Sequence, residues 1–176
     1  MKNQLVIWII LLNSVCCTQI EHQKAKTIIN EPISHQMNNK PKVTGIGGIF
    51  FKAENPKKLN EWYGQHLGLA IDDHGSAFEF RNANTPEDIN YLRWAPFENK
   101  EDAFAPSKKE YMVNYRVQHI EALVEQLKSD GVSILDEIET YPYGKFVHIM
   151  DPEGTKIELW EPIDSFFTEM GGATTK

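Results

Sequence analysis

The chain carries nearly the same pattern twice, and this repeat restricts its fold more than any other feature. Residues 43–97 and 110–162 each read as a strand, a helix and three further strands, and each copy closes on a Trp-x-Pro tripeptide, at Trp94 and at Trp160. A βαβββ unit of this length has too little apolar surface to be stable alone. The pattern therefore predicts an α+β domain, residues 43–162, in which two βαβββ modules pack around a central cavity that can hold a ligand.

The first 18 residues have the pattern of a signal peptide. Lys2 precedes an unbroken apolar run from Leu5 to Leu12. This run is about half of the roughly 20 residues that a membrane-spanning helix needs, whereas an export signal needs only about 7 to 15. The alternative is a buried strand or helix of a cytosolic domain. We expect export, to a bacterial periplasm or an outer surface.

Cys16 and Cys17 are the only cysteines of the chain, and they close this segment. Neighbouring cysteines form only a strained disulfide ring. They resemble a bacterial lipobox, in which a cysteine carries the lipid anchor, so a membrane-anchored lipoprotein and a soluble secreted protein both stay open. Residues 19–42 are polar and without period, which predicts a disordered tether.

Charge excludes some partners. The chain has 18 Lys and Arg against 25 Asp and Glu, a formal net charge of −7. This balance argues against nucleic acid and against anionic lipid as partners, so contact with a membrane is expected only through a lipid anchor. The sequence also has no Cys-x-x-Cys metal motif and no glycine-rich phosphate loop.

Local signals divide module one into its elements. An apolar run from Val43 to Phe51 predicts a strand, and its glycines indicate that another group passes close to the backbone. Asn55 and Pro56 predict the start of a helix and Gly68 its end. A hairpin is expected around Gly75 and Ser76.

Module two follows the same plan. Ile120, Leu123, Val124 and Leu127 give one apolar face of a helix, and residues 151–154, Asp-Pro-Glu-Gly, predict a type I turn between two strands. Residues 98–109 form the linker between the modules, and its Phe104 is a candidate cover for the cavity mouth. The tail, residues 163–176, predicts a short amphipathic helix that covers apolar surface on its own domain or on a second copy in a homodimer.

These segments together carry a family resemblance. The paired modules, the segment Gly45–Phe51 running into Trp62-Tyr63 and Gly68-Leu69, and the segment Asp151–Trp160 resemble the vicinal oxygen chelate superfamily. That superfamily contains glyoxalase I, extradiol dioxygenases, fosfomycin-modifying enzymes and bleomycin-binding proteins. The resemblance covers nearly all of residues 43–162. It implies the fold more strongly than any one activity, because one fold hosts several chemistries.

In metal-dependent members of that superfamily, each module supplies one ligand near the end of its first strand and one on its last. The resemblance places these positions at Gly47 or Gly48 and at Leu92 in module one, and at about Met112 or Val113 and at Glu158 in module two. Glu158 is the only good ligand for a divalent metal among them. No cofactor is therefore expected, although a rearranged site for a divalent metal stays open.

His148 and Glu158 are the candidate catalytic pair. They lie on the two strands that flank the 151–154 turn. If the strands pair so that the two residues are directly opposite, both side chains point to the same face of the sheet. His148 could then act as a general base next to Glu158. The alternative is a strand histidine that packs against Trp160.

The candidate ligand-binding residues are aromatic or apolar. Tyr141 and Tyr143 flank a proline and could stack on a flat or cationic ligand or simply close a turn. Trp94 and Trp160 could line opposite walls of the cavity or cap the core. Leu92 and Met112 complete this set.

Two functional classes follow. The first is a binding protein that holds a small molecule without the usual metal. The second is a glyoxalase-like lyase or isomerase that acts on a small oxygenated substrate through Glu158 and His148. A buried His148 next to Glu158 would favour the enzyme, and an aromatic hollow with no polar pair would favour the binding protein.

Overall fold

The computed structural model describes residues 40–83 and 85–176, and this part of the chain forms a mixed α+β domain. The strands are β1 (Lys42–Ala53), β2 (Ile71–Asp72), β3 (Gly75–Arg81), β4 (Ile89–Glu98), β5 (Tyr111–Gln118), β6 (Ser133–Ile134), β7 (Glu139–Tyr141), β8 (Gly144–Met150) and β9 (Lys156–Pro162). The helices are α1 (Pro56–Leu67), α2 (Ile120–Ser129) and α3 (Asp164–Met170). The predicted signal peptide with Cys16 and Cys17, and most of the predicted tether, lie outside the described residues.

One curved sheet contains both modules. Its strand order is β2-β3-β4-β1-β5-β9-β8-β6, with β7 on β8. Within each module the first and last strands pair in parallel, β1 with β4 and β5 with β9. The modules meet where β1 and β5 pair antiparallel. The predicted α+β class and the two-module arrangement are therefore confirmed.

The ends of α1 follow the signals in the sequence. The Asn55 side chain accepts a hydrogen bond from the backbone N–H of Lys58 at 2.9 Å, Pro56 occupies the first turn, and Gly68 ends the helix in the left-handed conformation with φ of 71°. These residues satisfy backbone groups that a helix end otherwise leaves without partners. The helix is fixed by its local sequence.

The core of module two determines which side chains face the cavity. Apolar residues of β5, β8 and β9 pack against α2. The strand residues are Val117, Val147, Ile149 and Leu159, and the helix residues are Ile120, Leu123 and Val124. Side chains alternate between the two faces of a strand. Because Leu159 points toward α2, its neighbours Glu158 and Trp160 point to the opposite face, where they line the cavity.

Two details of the structure differ from the sequence expectations. The hairpin of module one turns at Asp73 and His74, and β3 already begins at Gly75. The turn comes this early because the Asp72 side chain accepts a hydrogen bond from the His74 backbone N–H at 2.8 Å.

Phe104 does not cover the cavity mouth. It is 1% exposed and packs on Phe97, with ring centroids 5.3 Å apart.

The tail covers its own domain. After α3 the chain returns to module one, where Thr175 donates its backbone N–H to Ala77 at 2.8 Å and accepts that of Glu79 at 3.1 Å. The side chains of Thr174 and Lys176 both bind Glu79. None of the helices in the described ranges is long and apolar enough to cross a membrane.

Candidate functional site

A cavity of about 900 Å³ lies between the two modules. Its walls come from β1, β2, β3 and β4 of module one, from β5, β8 and β9 of module two, and from the tail beginning at Phe166. Seven Phe, Tyr and Trp side chains line it; they are Phe50, Tyr91, Tyr143, Phe146, Trp160, Phe166 and Phe167. The volume and the apolar lining match those of sites that bind small organic molecules.

Glu158 supplies a carboxylate to this apolar cavity. Its side chain is 15% exposed and accepts two hydrogen bonds, one from Asn114 Nδ2 at 2.5 Å and one from His148 Nε2 at 3.1 Å. Both partners are fixed by pairing in the sheet, since Asn114 and His148 lie opposite Glu158 on β5 and β8. The carboxylate is thereby held in one orientation, with acceptor capacity left for a ligand.

His148 connects Glu158 to a second carboxylate. Its Nδ1 lies 2.6 Å from Asp136 Oδ2, and its backbone N–H donates to Asp136 Oδ1 at 2.7 Å. Asp136 lies in the irregular segment between β6 and β7. The imidazole therefore bridges two carboxylates, and the structure brings together the predicted pair and a third residue that the sequence did not indicate.

The pKa of His148 reflects these neighbours. Burial acts to lower this pKa, but the hydrogen bond and negative charge of Glu158 and the hydrogen bond of Asp136 outweigh burial and raise it above the ordinary value of 6.5. A protonated imidazole donates from both nitrogens and has no lone pair left to accept a proton. In that protonated form His148 can hold Glu158 in place but cannot act as a general base.

The raised pKa predicts how stability depends on pH. Because the pKa of His148 is higher in the folded state, its contribution is complete below about pH 6.5 and is lost as the pH rises through the raised pKa. We expect wild type to exceed His148→Gln in free energy of unfolding by more at pH 6 than at pH 9. Urea denaturation of both proteins at the two pH values measures this, and an equal difference at both would contradict it.

The structure divides the predicted ligand-binding residues into two groups. Leu92, Tyr143 and Trp160 line the cavity. Trp94 instead packs on Tyr63 of α1, with ring centroids 4.5 Å apart. Tyr141 is 40% exposed and stacks on the ring of Tyr143, with centroids 5.3 Å apart. Met112 is buried at 4% exposure, and the cavity lining of the described residues does not include it.

Two polar residues of β5 are central to the site and were not singled out from the sequence. Asn114 and Arg116 are 2% and 3% exposed. They alternate with Val113, Tyr115 and Val117, and this alternation of polar residues within an apolar strand was a usable signal. Arg116 pairs with Asp164 of α3, donates to the Tyr91 carbonyl oxygen at 3.0 Å, and lies 5.1 Å from the centroid of the Trp160 ring. This arginine joins α3 to the cavity wall.

The side chains at the four positions of a superfamily metal centre lack most of the ligands that a metal ion needs. The sheet register sets Asn114, not Met112 or Val113, beside Glu158. Gly47 and Leu92 supply no donor, and Asn114 and Glu158 are bonded to each other. Within residues 40–83 and 85–176 no three His, Cys, Asp or Glu side chains are close enough together to hold an ion. These residues do not fit such a centre.

Comparisons with known proteins agree with this architecture. The model of the Glyoxalase/Bleomycin resistance protein/Dioxygenase superfamily matches residues 45–159. Methylmalonyl-CoA epimerase from Streptomyces coelicolor, solved with 2-nitronate-propionyl-CoA, is 15% identical with a TM-score of 0.52, covering 69% of this chain and 99% of its own. The Mn(II)-bound glyoxalase from Novosphingobium aromaticivorans is 14% identical with a TM-score of 0.47, covering 78% of this chain and 43% of its own. No curated protein matches the sequence.

Proposed function

Because the chain belongs to the Glyoxalase/Bleomycin resistance protein/Dioxygenase superfamily, we propose that it binds a small organic molecule in the cavity between its two modules, against the carboxylate of Glu158. The observation that carries this proposal is the Glu158 carboxylate, which two hydrogen bonds hold in one orientation inside a cavity of about 900 Å³ with several aromatic walls. The aromatic walls contribute affinity by burying apolar surface, and Glu158 selects a ligand that presents a hydrogen-bond donor.

The proposed binding needs no metal. At the positions where module one would contribute metal ligands, the chain has only Gly47 and Leu92. Glu158 therefore acts through its hydrogen bonds and its charge. Its two bonds, from Asn114 and His148, hold it in place before the ligand arrives. A preorganised group loses little conformational entropy on binding.

Glu158→Gln tests this proposal because it removes the charge and keeps the shape. A library of small oxygenated and aromatic fragments is screened against the full chain by protein NMR, with the indole N–H of Trp160 as a reporter, since that group donates to the Tyr143 carbonyl oxygen at 3.1 Å beside the cavity. We expect fragments that shift this signal to bind about ten-fold more weakly to Glu158→Gln.

The control for that screen is Glu137→Gln, which removes a charge from an exposed residue near β7. It should bind the same fragments as wild type. If no fragment shifts the Trp160 signal, or if Glu158→Gln binds every such fragment as well as wild type, the proposed site is wrong.

A second candidate function is proton transfer, which the chain Asp136–His148–Glu158 favours. In this reaction Glu158 breaks a C–H bond next to a carbonyl group of the ligand, takes the proton on a carboxylate oxygen and returns it to carbon, so the substrate is isomerised or epimerised without a co-reactant. The carbonyl group makes this proton more acidic, and the hydrogen bonds from Asn114 and His148 hold the carboxylate in place to receive it.

Hydrogen exchange separates the two functions. A bound carbonyl compound is incubated with the protein in D₂O, and the incorporation of deuterium at carbon is followed by NMR. An enzyme exchanges the hydrogen with wild type and loses the exchange with Glu158→Gln, whereas a binding protein gives no exchange with either.

The proposal includes export of the mature domain, supported by the sequence of residues 2–18 alone. Fractionation of cells that make the wild type or a variant with Cys16→Ser and Cys17→Ser tests it. Protein found only in the cytosol would contradict export, and a shift from membrane to soluble fractions in the variant would indicate a lipid anchor.

A further inference from the structure

Arg93 is a charged side chain of the cavity wall that the proposed function does not use. It lies on β4 and lines the cavity between the modules, and its side chain is 28% exposed. The sheet register puts it in one row with the carboxylate of the other module: it pairs with Gly48, Gly48 with Asn114, and Asn114 with Glu158. Residues paired across neighbouring strands present their side chains on one face. The guanidinium and the carboxylate therefore face the same cavity from opposite modules.

Asp72 orients the guanidinium of Arg93. Its two carboxylate oxygens accept hydrogen bonds from Nη1 and Nη2, the first at 2.7 Å. These bonds use two of the five N–H groups of a guanidinium, and the Asp72 side chain is 52% exposed, so water solvates much of its charge. Arg93 thus keeps donors and positive charge for a ligand. An ion pair this exposed contributes little to stability, so stability alone does not explain an arginine in this wall.

Glu79 is the other carboxylate that module one contributes to the wall, and the tail already binds it. Thr174 Oγ1 donates to Glu79 at 2.6 Å, and Lys176 Nζ lies 3.5 Å from it. Glu79 therefore has its own partners and does not take up the remaining donors of Arg93. The cavity presents one oriented cation on module one and one oriented carboxylate on module two.

The space between these two charges fits a flat body. Three strand spacings separate the Cα atoms of Arg93 and Glu158, roughly 14 Å along the sheet, and both side chains reach inward from there. The ring of Phe50 lies over Gly48 in this gap, because a Cβ on Gly48 would be 2.7 Å from Phe50 Cζ. An aromatic face in that place can stack on a flat ligand.

From these observations we infer that Arg93 binds a carboxylate of the ligand whose donor Glu158 accepts, so that the cavity takes a flat organic acid with a hydrogen-bond donor at its opposite end. The guanidinium fork matches the geometry of a carboxylate. Because Asp72 already fixes that fork, little conformational entropy is lost on binding. This inference rests on the proposed function, since it names the class of ligand for the same cavity.

The test compares 4-(hydroxymethyl)benzoate with the neutral 4-(hydroxymethyl)benzamide in NMR titrations of the full chain, followed at the indole N–H of Trp160. We expect wild type to bind the acid at least about five-fold more tightly than the amide, and Arg93→Met to lose this preference. Asp72→Asn should raise the affinity for the acid at least about two-fold, because it removes the competing charge. Its amide oxygen can still accept the hydrogen bond from the His74 backbone N–H.

Arg81→Met is the matched control, because it removes the same charge from an exposed residue at the end of β3, outside the cavity lining that the described residues form. It should bind both probes as wild type does. The inference is overturned if neither probe binds, if acid and amide bind equally, or if Arg81→Met also loses the preference. Weakening of the acid by both Arg93→Met and Asp72→Asn would overturn it too, because the pair would then have a structural role.

These failures differ from a failure of the proposed function. If other fragments still shift the Trp160 signal and bind more weakly to Glu158→Gln, the cavity binds a ligand and only the role of Arg93 is wrong. If no fragment of any charge does so, both are wrong.

Discussion

Replacement of Gly47 by alanine is expected to lower the free energy of unfolding by about 1–3 kcal/mol, the usual cost of overpacking a tight interior. A Cβ at this position would lie 2.7 Å from Trp160 Cε3 and 3.0 Å from Arg116 Cγ, and closer still to Asn114 Oδ1. All three neighbours are buried, so they cannot move aside without strain. Urea denaturation measures the change.

The same substitution should also disturb Glu158, because Asn114 cannot yield to the new methyl group without weakening its hydrogen bond to that carboxylate. A loss of fragment binding at the Trp160 reporter would show this. Gly45→Ala is the matched control on β1, since the nearest side-chain atom to its Cβ is Arg116 Cδ at 3.8 Å, an ordinary contact. If both variants lose similar stability, the close packing of Gly47 is not the cause.

Asp164→Asn is expected to cost about 3 kcal/mol of unfolding free energy, at the low end for breaking a buried ion pair. The Arg116 side chain is 4% exposed and that of Asp164 is 21% exposed, so removing this carboxylate leaves a buried guanidinium without its counter-charge. The remaining bond to the Tyr91 carbonyl oxygen and the Phe80 and Trp160 rings do not replace a negative charge.

A double-mutant cycle with Arg116→Met isolates this interaction. In the Arg116→Met background, Asp164→Asn should lower the free energy of unfolding much less, because no buried guanidinium is left that needs a negative partner. An equal cost in both backgrounds would mean that Asp164 acts through other contacts, such as the bond from Asn90 Nδ2 at 3.2 Å.

Features fixed by local sequence could be predicted from it. The start of α1 depends on neighbouring residues alone, namely Asn55 and Pro56. The matching Trp-x-Pro tripeptides gave the last strands a marker, from which Leu92 of module one was expected at the position of Glu158 in module two. The first strands have no such marker. Asn114 lies beside Glu158 through the pairing of β5 with β9, and this register between distant segments could not be read from the strand residues themselves, so the position was expected at Met112 or Val113.

Features that depend on distant packing could not be predicted in this way. Asp136 lies in an irregular segment without period, and only the folded chain brings it to His148. Trp94 and Trp160 are equivalent in sequence, but Tyr63 of α1 packs on Trp94, while Trp160 stacks on Phe146 in the cavity wall with centroids 5.7 Å apart. The surroundings of each tryptophan are therefore set by the element that packs on it, which the sequence of its own strand does not reveal.

The return of the tail to module one sets an order of events during synthesis. Ser76 and Thr175 meet although they are 99 positions apart, and the edge of β3 at Ala77 and Glu79 stays unpaired until Thr175 has been translated. Module one leaves the ribosome first but is completed last. Unpaired strand edges are where incomplete chains associate with one another, so a chain that has not yet placed Thr175 exposes this edge of β3 to other chains.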